Sequence, residues 1–166
     1  SDDLIAPLTQ GDLFVLTSAN QLATVNKSDP SVLRTTMAIT GLMSGDTLLG
    51  MDFRPRDGML YAIARTSPGD GGRLYTINTT TGAATVVAAL TAHPTDATAP
   101  FTTIDPAATS FGVDFNPVAD RLRLLGPDGT SFRVNVETGE VAVDGKVAYA
   151  ADGPYAGKTA KVVAGA

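Results

Sequence analysis

Apolar and polar residues alternate in short runs along this chain, and turn residues separate the runs. Within residues 73–78, Leu74 and Thr76 fall on one side of an extended chain, while Tyr75 and Ile77 fall on the other. No stretch keeps the period of about 3.6 residues that marks a helix. The pattern therefore predicts an all-β fold. The clearest predicted strands are Leu49–Arg54, Met59–Arg65, Arg73–Asn78, Ala84–Leu90, Phe111–Asn116, Arg121–Leu125, Ser131–Val136 and Glu140–Val147.

These strands fall into two segments that repeat one another, and a partial third copy lies upstream of them. The aligned segments are 49–64 with 111–126, 74–83 with 132–140, 12–16 with 59–63, and 21–26 with 73–78. The repeat preserves turn residues and one acidic residue. The identical pairs include Gly50/Gly112, Asp52/Asp114, Phe53/Phe115, Pro55/Pro117, Asn78/Asn135 and Gly82/Gly139.

A four-stranded meander that recurs with aromatic and glycine-turn signatures is typical of a β-propeller blade. We expect a single all-β unit over 1–166 with two full four-stranded blades and a partial one; a small barrel or a sandwich is the alternative. Propellers typically need about four to eight blades, so we expect the rest of the ring from a C-terminal remainder of the same propeller or from another copy of the chain. The predicted blades are approximately 12–40 (partial), 49–90 and 111–147, with a further blade starting at 159–166.

Composition excludes several classes of protein. The chain has 166 residues, of which 43% are hydrophobic and 17% charged, so it holds enough apolar residues for a folded core. The net charge of −5 and the lack of a long apolar run argue against nucleic-acid binding and membrane insertion. No Cys is present and His93 is the only histidine, which excludes thiolate chemistry and a multi-histidine metal centre. The first residue, Ser1, and the acidic, Thr-rich composition favour an exported protein, periplasmic or extracellular.

Candidate ligand-binding residues lie on and beside the predicted innermost strand of each blade. Five arginines cluster around the same turns: Arg54, Arg56, Arg121, Arg123 and Arg133. Arginine binds carboxylates and phosphates through paired hydrogen bonds, so this cluster would suit an anionic small molecule as ligand. The architectural interpretation, which the repetition favours, is that each repeated Asp accepts backbone N–H groups and that Arg–Asp pairs join the blades. The candidates are Asp52, Arg54, Asp114, Asn116 and Arg121.

Two further features carry weaker chemical signals. Asp-Gly pairs recur along the chain and would suit a calcium ion, but none has the spacing of a calcium-binding loop, and Asp-Gly is an ordinary turn dipeptide. His93 lies in a long loop, 91–109, with Asp96 close by in sequence, yet no motif of a hydroxyl nucleophile accompanies them. We therefore predict no cofactor and assign no catalytic residue.

Two segments, LLGMDFRPRDGMLYAIA and FGVDFNPVADRLRLLG, resemble an uncharacterised bacterial family, the domain of unknown function 4394. The motifs that carry the resemblance are Gly-x-Asp-Phe-Arg-Pro at 50–55 and Phe-Gly-x-Asp-Phe-Asn-Pro at 111–117, and the similarity runs from Asp12 to the end. The resemblance implies an exported protein with further repeats beyond Ala166. It supplies no reaction and no catalytic residue.

These features favour an exported binding or scaffold module of propeller type, with an unknown ligand, that forms one part of a larger propeller. A second hypothesis is a propeller hydrolase or lyase that uses acidic and Arg residues, with Asp52 and Asp114 foremost. A third is a structural unit whose open sheet edges pair between chains. The first two hypotheses differ in whether Asp52 and Asp114 are hydrogen-bonded within the fold or open into a cleft.

Overall fold

Twelve β-strands and no helix make up the described part of the protein, in a computed structural model that describes residues 10–67, 71–97, 99–108 and 111–146. The strands form three sheets, in which neighbouring strands pair antiparallel except for one parallel pair at the edge of the third sheet. The first sheet contains β1 (Leu13–Leu16), β2 (Gln21–Asn26) and β3 (Asp29–Ala38). The second contains β4 (Thr47–Phe53), β5 (Leu60–Arg65), β6 (Gly72–Ile77) and β7 (Ala84–Ala89). The third contains β8 (Thr91–Ala92), β9 (Gly112–Asn116), β10 (Arg121–Leu125), β11 (Thr130–Val134) and β12 (Glu140–Lys146).

The predicted all-β fold class is confirmed. All eight predicted strands are present, and each observed bound lies within two residues of the predicted one. The upstream partial copy forms the three-stranded first sheet. The described residues form three sheets that do not close into a barrel or a propeller ring, so the propeller itself stays a prediction. The predicted further blade at 159–166 lies outside the described residues.

Apolar side chains pack on both sides of the second sheet, which is the middle layer of a stack of three. Strand β5 is buried from Leu60 to Ala64. Each fully buried large apolar side chain contributes about 2 kcal/mol through removal of apolar surface from water. One core cluster joins the first and second sheets through residues such as Leu22, Leu60 and Tyr75. The other joins the second and third sheets through residues such as Tyr61, Leu74 and Leu122.

Equivalent positions of the repeat face the same way in successive sheets. Leu60 in β5 packs in the core that the second sheet shares with the first. Its equivalent in β10, Leu122, packs in the core that the third sheet shares with the second. Tyr61 faces the third sheet, but its equivalent on the third sheet is Arg123. We call the side of the third sheet that faces away from the second sheet its outward side. At this position it presents the guanidinium of Arg123, where the second sheet presents the ring of Tyr61.

The segment that leaves each sheet pairs with the edge of the next sheet at that sheet's last strand. Thr40 follows β3 and forms a parallel bridge with Ala83, and its N–H donates to the carbonyl of Gly82 at 3.0 Å. Strand β8 follows β7 and pairs in parallel with β12; the N–H of Thr91 donates to the carbonyl of Gly139 at 3.0 Å. Gly82 and Gly139 are equivalent in the repeat, so successive sheets are joined by the same backbone hydrogen bond.

Strands β4 and β9 approach each other closely at Gly50. A Cβ atom built on Gly50 would lie 2.5 Å from Cγ2 of Val113, which is well inside van der Waals contact. We expect Gly50→Ala to lower the free energy of unfolding by about 2 kcal/mol, because the added methyl group overpacks this contact. Urea denaturation measures the loss. In a Val113→Gly background, which removes both Cγ2 and the Cβ that lies 2.8 Å from the added atom, Gly50→Ala should cost much less. An equal loss in the two backgrounds would contradict this explanation.

Candidate functional site

The carboxylate of Asp52 joins the second sheet to the third. Its Oδ2 accepts the backbone N–H of Phe115 at 2.8 Å, and its Oδ1 accepts the N–H of Phe53 at 2.9 Å. Phe115 belongs to β9, so the first of these hydrogen bonds crosses between two sheets. Both carboxylate oxygens hold backbone groups, which supports the architectural interpretation of this residue.

Asp114, the equivalent of Asp52 in the third sheet, is 7% exposed and pairs with Arg123. Register places the two residues opposite each other on β9 and β10. The Arg123 guanidinium donates to Oδ1 from Nε at 3.1 Å and to Oδ2 from Nη2 at 2.5 Å. The hydrogen bonds to Asp114 raise the pKa of Arg123. This paired geometry is among the strong charge-assisted contacts in proteins, so Asp114 is engaged within its own sheet.

Arg54 is the centre of a group of ion pairs between the turns of the second and third sheets. Only 5% of the residue is exposed. Its Nε and Nη2 donate to the two carboxylate oxygens of Asp120 at 2.8 and 2.5 Å. Its Nη1 donates to Asp57 at 3.2 Å and its Nη2 to Glu137 at 3.1 Å. We call Arg54, Asp57, Asp120 and Glu137 the Arg54 cluster. Because this one buried guanidinium donates hydrogen bonds to three carboxylates, we assign Arg54 a structural role in joining the second and third sheets.

The contacts within the Arg54 cluster determine its ionisation. The hydrogen bond to Asp120 raises the pKa of Arg54 above its ordinary value, and the same bond lowers the pKa of Asp120. Burial would raise the pKa of Asp57, but hydrogen bonds from Met59 N–H, the Tyr61 hydroxyl and Arg54 lower it overall. Arg54, Asp57 and Asp120 are therefore all charged at neutral pH.

Asn116 and Arg121 lie at the two ends of the turn between β9 and β10. The Oδ1 of Asn116 accepts the N–H groups of Val118 at 3.0 Å and Ala119 at 3.1 Å, so this side chain shapes the turn. The Nη1 of Arg121 donates to the backbone carbonyls of Ala119 at 3.3 Å and Asp120 at 3.1 Å. Within the part of the chain that the structure describes, no carboxylate pairs with Arg121.

Arg121 lines a polar cavity of about 370 Å³ on the outward side of the third sheet. The third sheet contributes residues from β10, β11 and β12, and the segment after β8 contributes the rest. Cavities of a few hundred Å³ are large enough for a small molecule. The lining residues are His93, Thr95, Asp96, Arg121, Arg133, Asn135, Glu140, Ala142 and Val143. We call this the Arg121 cavity.

The Arg121 cavity brings together residues that the sequence does not connect. Neither His93 nor Glu140 was among the predicted ligand-binding residues. His93 reaches the third sheet because β8 pairs with β12, and no sequence pattern marks that parallel pairing. Arg121 lines the cavity, whereas the other four predicted residues do not: Asp52, Arg54, Asp114 and Asn116.

The described residues hold few other groups with binding chemistry. Among them, no three His, Asp or Glu side chains are grouped so that they could hold a metal ion. Every fully buried side-chain nitrogen or oxygen in these ranges has a hydrogen-bond partner. Nor do residues 10–67, 71–97, 99–108 and 111–146 contain a helix long and apolar enough to cross a membrane. Polar groups that face the Arg121 cavity are therefore the strongest candidates for ligand contacts.

Comparison with known proteins supports the resemblance predicted from the repeat motifs. The sequence profile of the family described as domain of unknown function (DUF4394) matches residues 21–166. This range contains both motifs, at 50–55 and at 111–117. No curated protein matches the chain.

Proposed function

We propose that this chain, which belongs to the family with the domain of unknown function (DUF4394), is a binding module that forms one part of a larger β-propeller. Its ligand is a small anionic molecule held by Arg121. The observation that carries the proposal is a guanidinium without a carboxylate partner among the described residues, in a polar cavity of about 370 Å³. Arginine recognises carboxylates and phosphates by charge and by paired N–H donors.

The propeller part of the proposal rests on how the sheets contact one another. Asp52 joins β4 to β9, and the carbonyls of Gly82 and Gly139 each accept a hydrogen bond from the chain that leaves the preceding sheet. Contacts of this kind can be repeated by adding further sheets, as propeller blades are. A following blade would pack on the outward side of the third sheet, so in a complete propeller the Arg121 cavity would lie at the junction between these two blades.

The enzyme hypothesis gains no support from these contacts. Asp52 and Asp114 were its foremost candidates, and both carboxylates hold backbone or guanidinium groups inside the fold.

The self-assembly hypothesis is tested by the mass of the native particle. Native and denaturing mass spectrometry together determine which polypeptides the particle contains. A second polypeptide would support a propeller completed by another chain. Several copies of this chain alone would support self-assembly.

We expect Arg121→Gln to weaken binding of acetate or succinate by at least about tenfold, because the substitution removes the charge that faces the cavity. Isothermal titration calorimetry measures the affinity. The matched control is Lys27→Gln, which removes an exposed positive charge from the turn between β2 and β3 and should leave the affinity unchanged. Equal anion affinities for the native chain and Arg121→Gln would overturn the proposal, as would no anion binding by the native chain.

A further inference from the structure

Two cavity residues of opposite charge, Arg121 and Glu140, have no ion-pair partner in the part of the chain that the structure describes. Within the described ranges, Arg121 donates to the backbone carbonyls of Ala119 and Asp120, and the carboxylate of Glu140 forms no hydrogen bond or ion pair. Both side chains are half-buried. A half-buried charge is incompletely solvated, so each of these groups gains from a ligand group of opposite charge.

The remaining charged residues of the cavity already have partners. Arg133 forms an ion pair with Asp144 at 2.6 Å. Asp96 accepts the N–H of Val143 at 2.9 Å, which fixes the segment after β8 against β12. Arg121, Asp96 and Glu140 thus form no ion pair among the described residues, and of the two carboxylates only that of Glu140 holds no N–H group.

Two further groups that line the cavity offer hydrogen-bond donors: Asn135, which follows β11, and His93, which follows β8. The Oδ1 of Asn135 accepts the N–H of Glu137 at 3.0 Å, which leaves the amide nitrogen of Asn135 available as a donor. The Nδ1 of His93 accepts the N–H of Thr95 at 3.3 Å, so the ring nitrogen that can donate to a ligand is Nε2. The cavity thus offers a ligand the Arg121 guanidinium, the Glu140 carboxylate and further hydrogen-bond donors.

The separation of Arg121 and Glu140 suits a small zwitterion. Arg121 begins β10 and Glu140 begins β12, with β11 between them, so their backbones lie about 10 Å apart at the usual strand spacing. In an α-amino acid, backbone bond lengths place the amine nitrogen about 2.5 Å from the carboxyl carbon. With a hydrogen bond of about 2.9 Å at each end, such a ligand spans the gap once the two side chains extend into the cavity.

We propose that the Arg121 cavity binds an α-amino acid, with the carboxylate on Arg121 and the ammonium group on Glu140. This inference rests on the proposed function and names its ligand class. The cavity volume of about 370 Å³ leaves room for a side chain beside the two charged groups.

Calorimetric titration with each of the twenty common L-amino acids tests the proposal. We expect at least one to bind more tightly than acetate, and its N-acetyl and amide derivatives, which lack the ammonium group or the carboxylate, to bind at least about tenfold more weakly. Glu140→Gln should reduce amino-acid affinity by a similar factor while leaving acetate affinity unchanged or higher. The matched control, Asp29→Asn, removes an exposed negative charge on β3 and should bind like the native chain.

The outcomes separate this inference from the proposed function. If acetate and succinate bind through Arg121 but no amino acid binds more tightly, the amino-acid assignment is overturned and the anion site stands. An amino acid that binds equally well to Glu140→Gln also overturns it. If neither simple anions nor amino acids bind, both proposals fail. Circular dichroism and urea denaturation of each variant establish that the fold is retained.

Discussion

Replacing Arg54 with Met is expected to lower the free energy of unfolding by about 3 kcal/mol. Met keeps much of the buried aliphatic volume but removes the charge that Asp57, Asp120 and Glu137 share. Three carboxylates then face one another at the junction of two sheets, and the only guanidinium that the structure still shows beside them is the exposed one of Arg56. Removing one partner of a buried ion pair is costly mainly because the other partner stays behind uncompensated. Urea denaturation at pH 7 measures the change.

The neighbouring Arg56 supplies a matched control for Arg54. Its guanidinium lies 3.4 Å from Glu137 and 3.6 Å from Asp120, but its side chain is 68% exposed. An exposed ion pair contributes less than about 1 kcal/mol, so Arg56→Met should change stability little. If the two substitutions cost the same, burial of the Arg54 guanidinium is not what makes the cluster important.

Acid should reduce the difference in stability between the native chain and Arg54→Met. The hydrogen bond from Arg54 lowers the pKa of Asp120 in the folded state below the ordinary value of 3.8. A carboxyl group with a lowered folded-state pKa contributes its full stability above the unfolded-state value and loses it as the pH falls through the folded one. Unfolding measured from pH 6 downward should therefore show a constant difference that shrinks below about pH 4. A difference that grows in acid would contradict the assignment.

Much of the fold could be predicted from the sequence because its information is local. Alternation and turn residues define each strand, and β10 was predicted at both ends as Arg121–Leu125. The repeat also identified Asp52 and Asp114 as equivalent. Their contacts nevertheless differ, since Asp52 accepts the N–H of Phe115 on the next sheet whereas Asp114 pairs with Arg123. The sequence shows which positions are equivalent but not what lies opposite them.

The candidate site was harder to predict because its residues come from distant parts of the chain. Arg54 looked like a ligand-binding residue, but it meets carboxylates 66 and 83 residues away, at Asp120 and Glu137. His93 looked like an ordinary loop residue until β8 placed it beside β12. In both cases the packing of the sheets determines which residues come into contact. No local sequence pattern predicts that packing.

At Gly82, too, the sequence predicts the local conformation but not the contact with the neighbouring sheet. Replacing Gly82 with Ala is therefore expected to have a large effect on stability. From sequence, Gly82 is a hairpin residue that supplies positive φ, and its φ is +77°. The structure adds a second requirement, because a Cβ atom on Gly82 would overlap the carbonyl oxygen of Ala38 in the preceding sheet. The same overlap occurs between its repeat equivalent, Gly139, and the carbonyl oxygen of Ala89.

We expect Gly82→Ala to lower the free energy of unfolding by about 3 kcal/mol, from backbone strain together with displacement of the neighbouring chain. Gly58→Ala is the matched control, since Gly58 also has positive φ, at +70°, but no atom lies within 4 Å of its added Cβ. That variant should lose about 1 kcal/mol, which is the cost of the backbone conformation alone. The difference between the two variants isolates the close approach of the two sheets.

Amide hydrogen exchange locates the effect of Gly82→Ala. The N–H of Thr40 donates to the carbonyl of Gly82, so displacing that chain should accelerate exchange at Thr40. The N–H of Thr91 makes the equivalent bond to Gly139 and serves as an internal reference in the same molecule. Selective acceleration at Thr40 would show that one glycine both turns its hairpin and joins two sheets. Equal acceleration at both amides would mean that the substitution weakens the whole fold and that the contact with Ala38 has no special role.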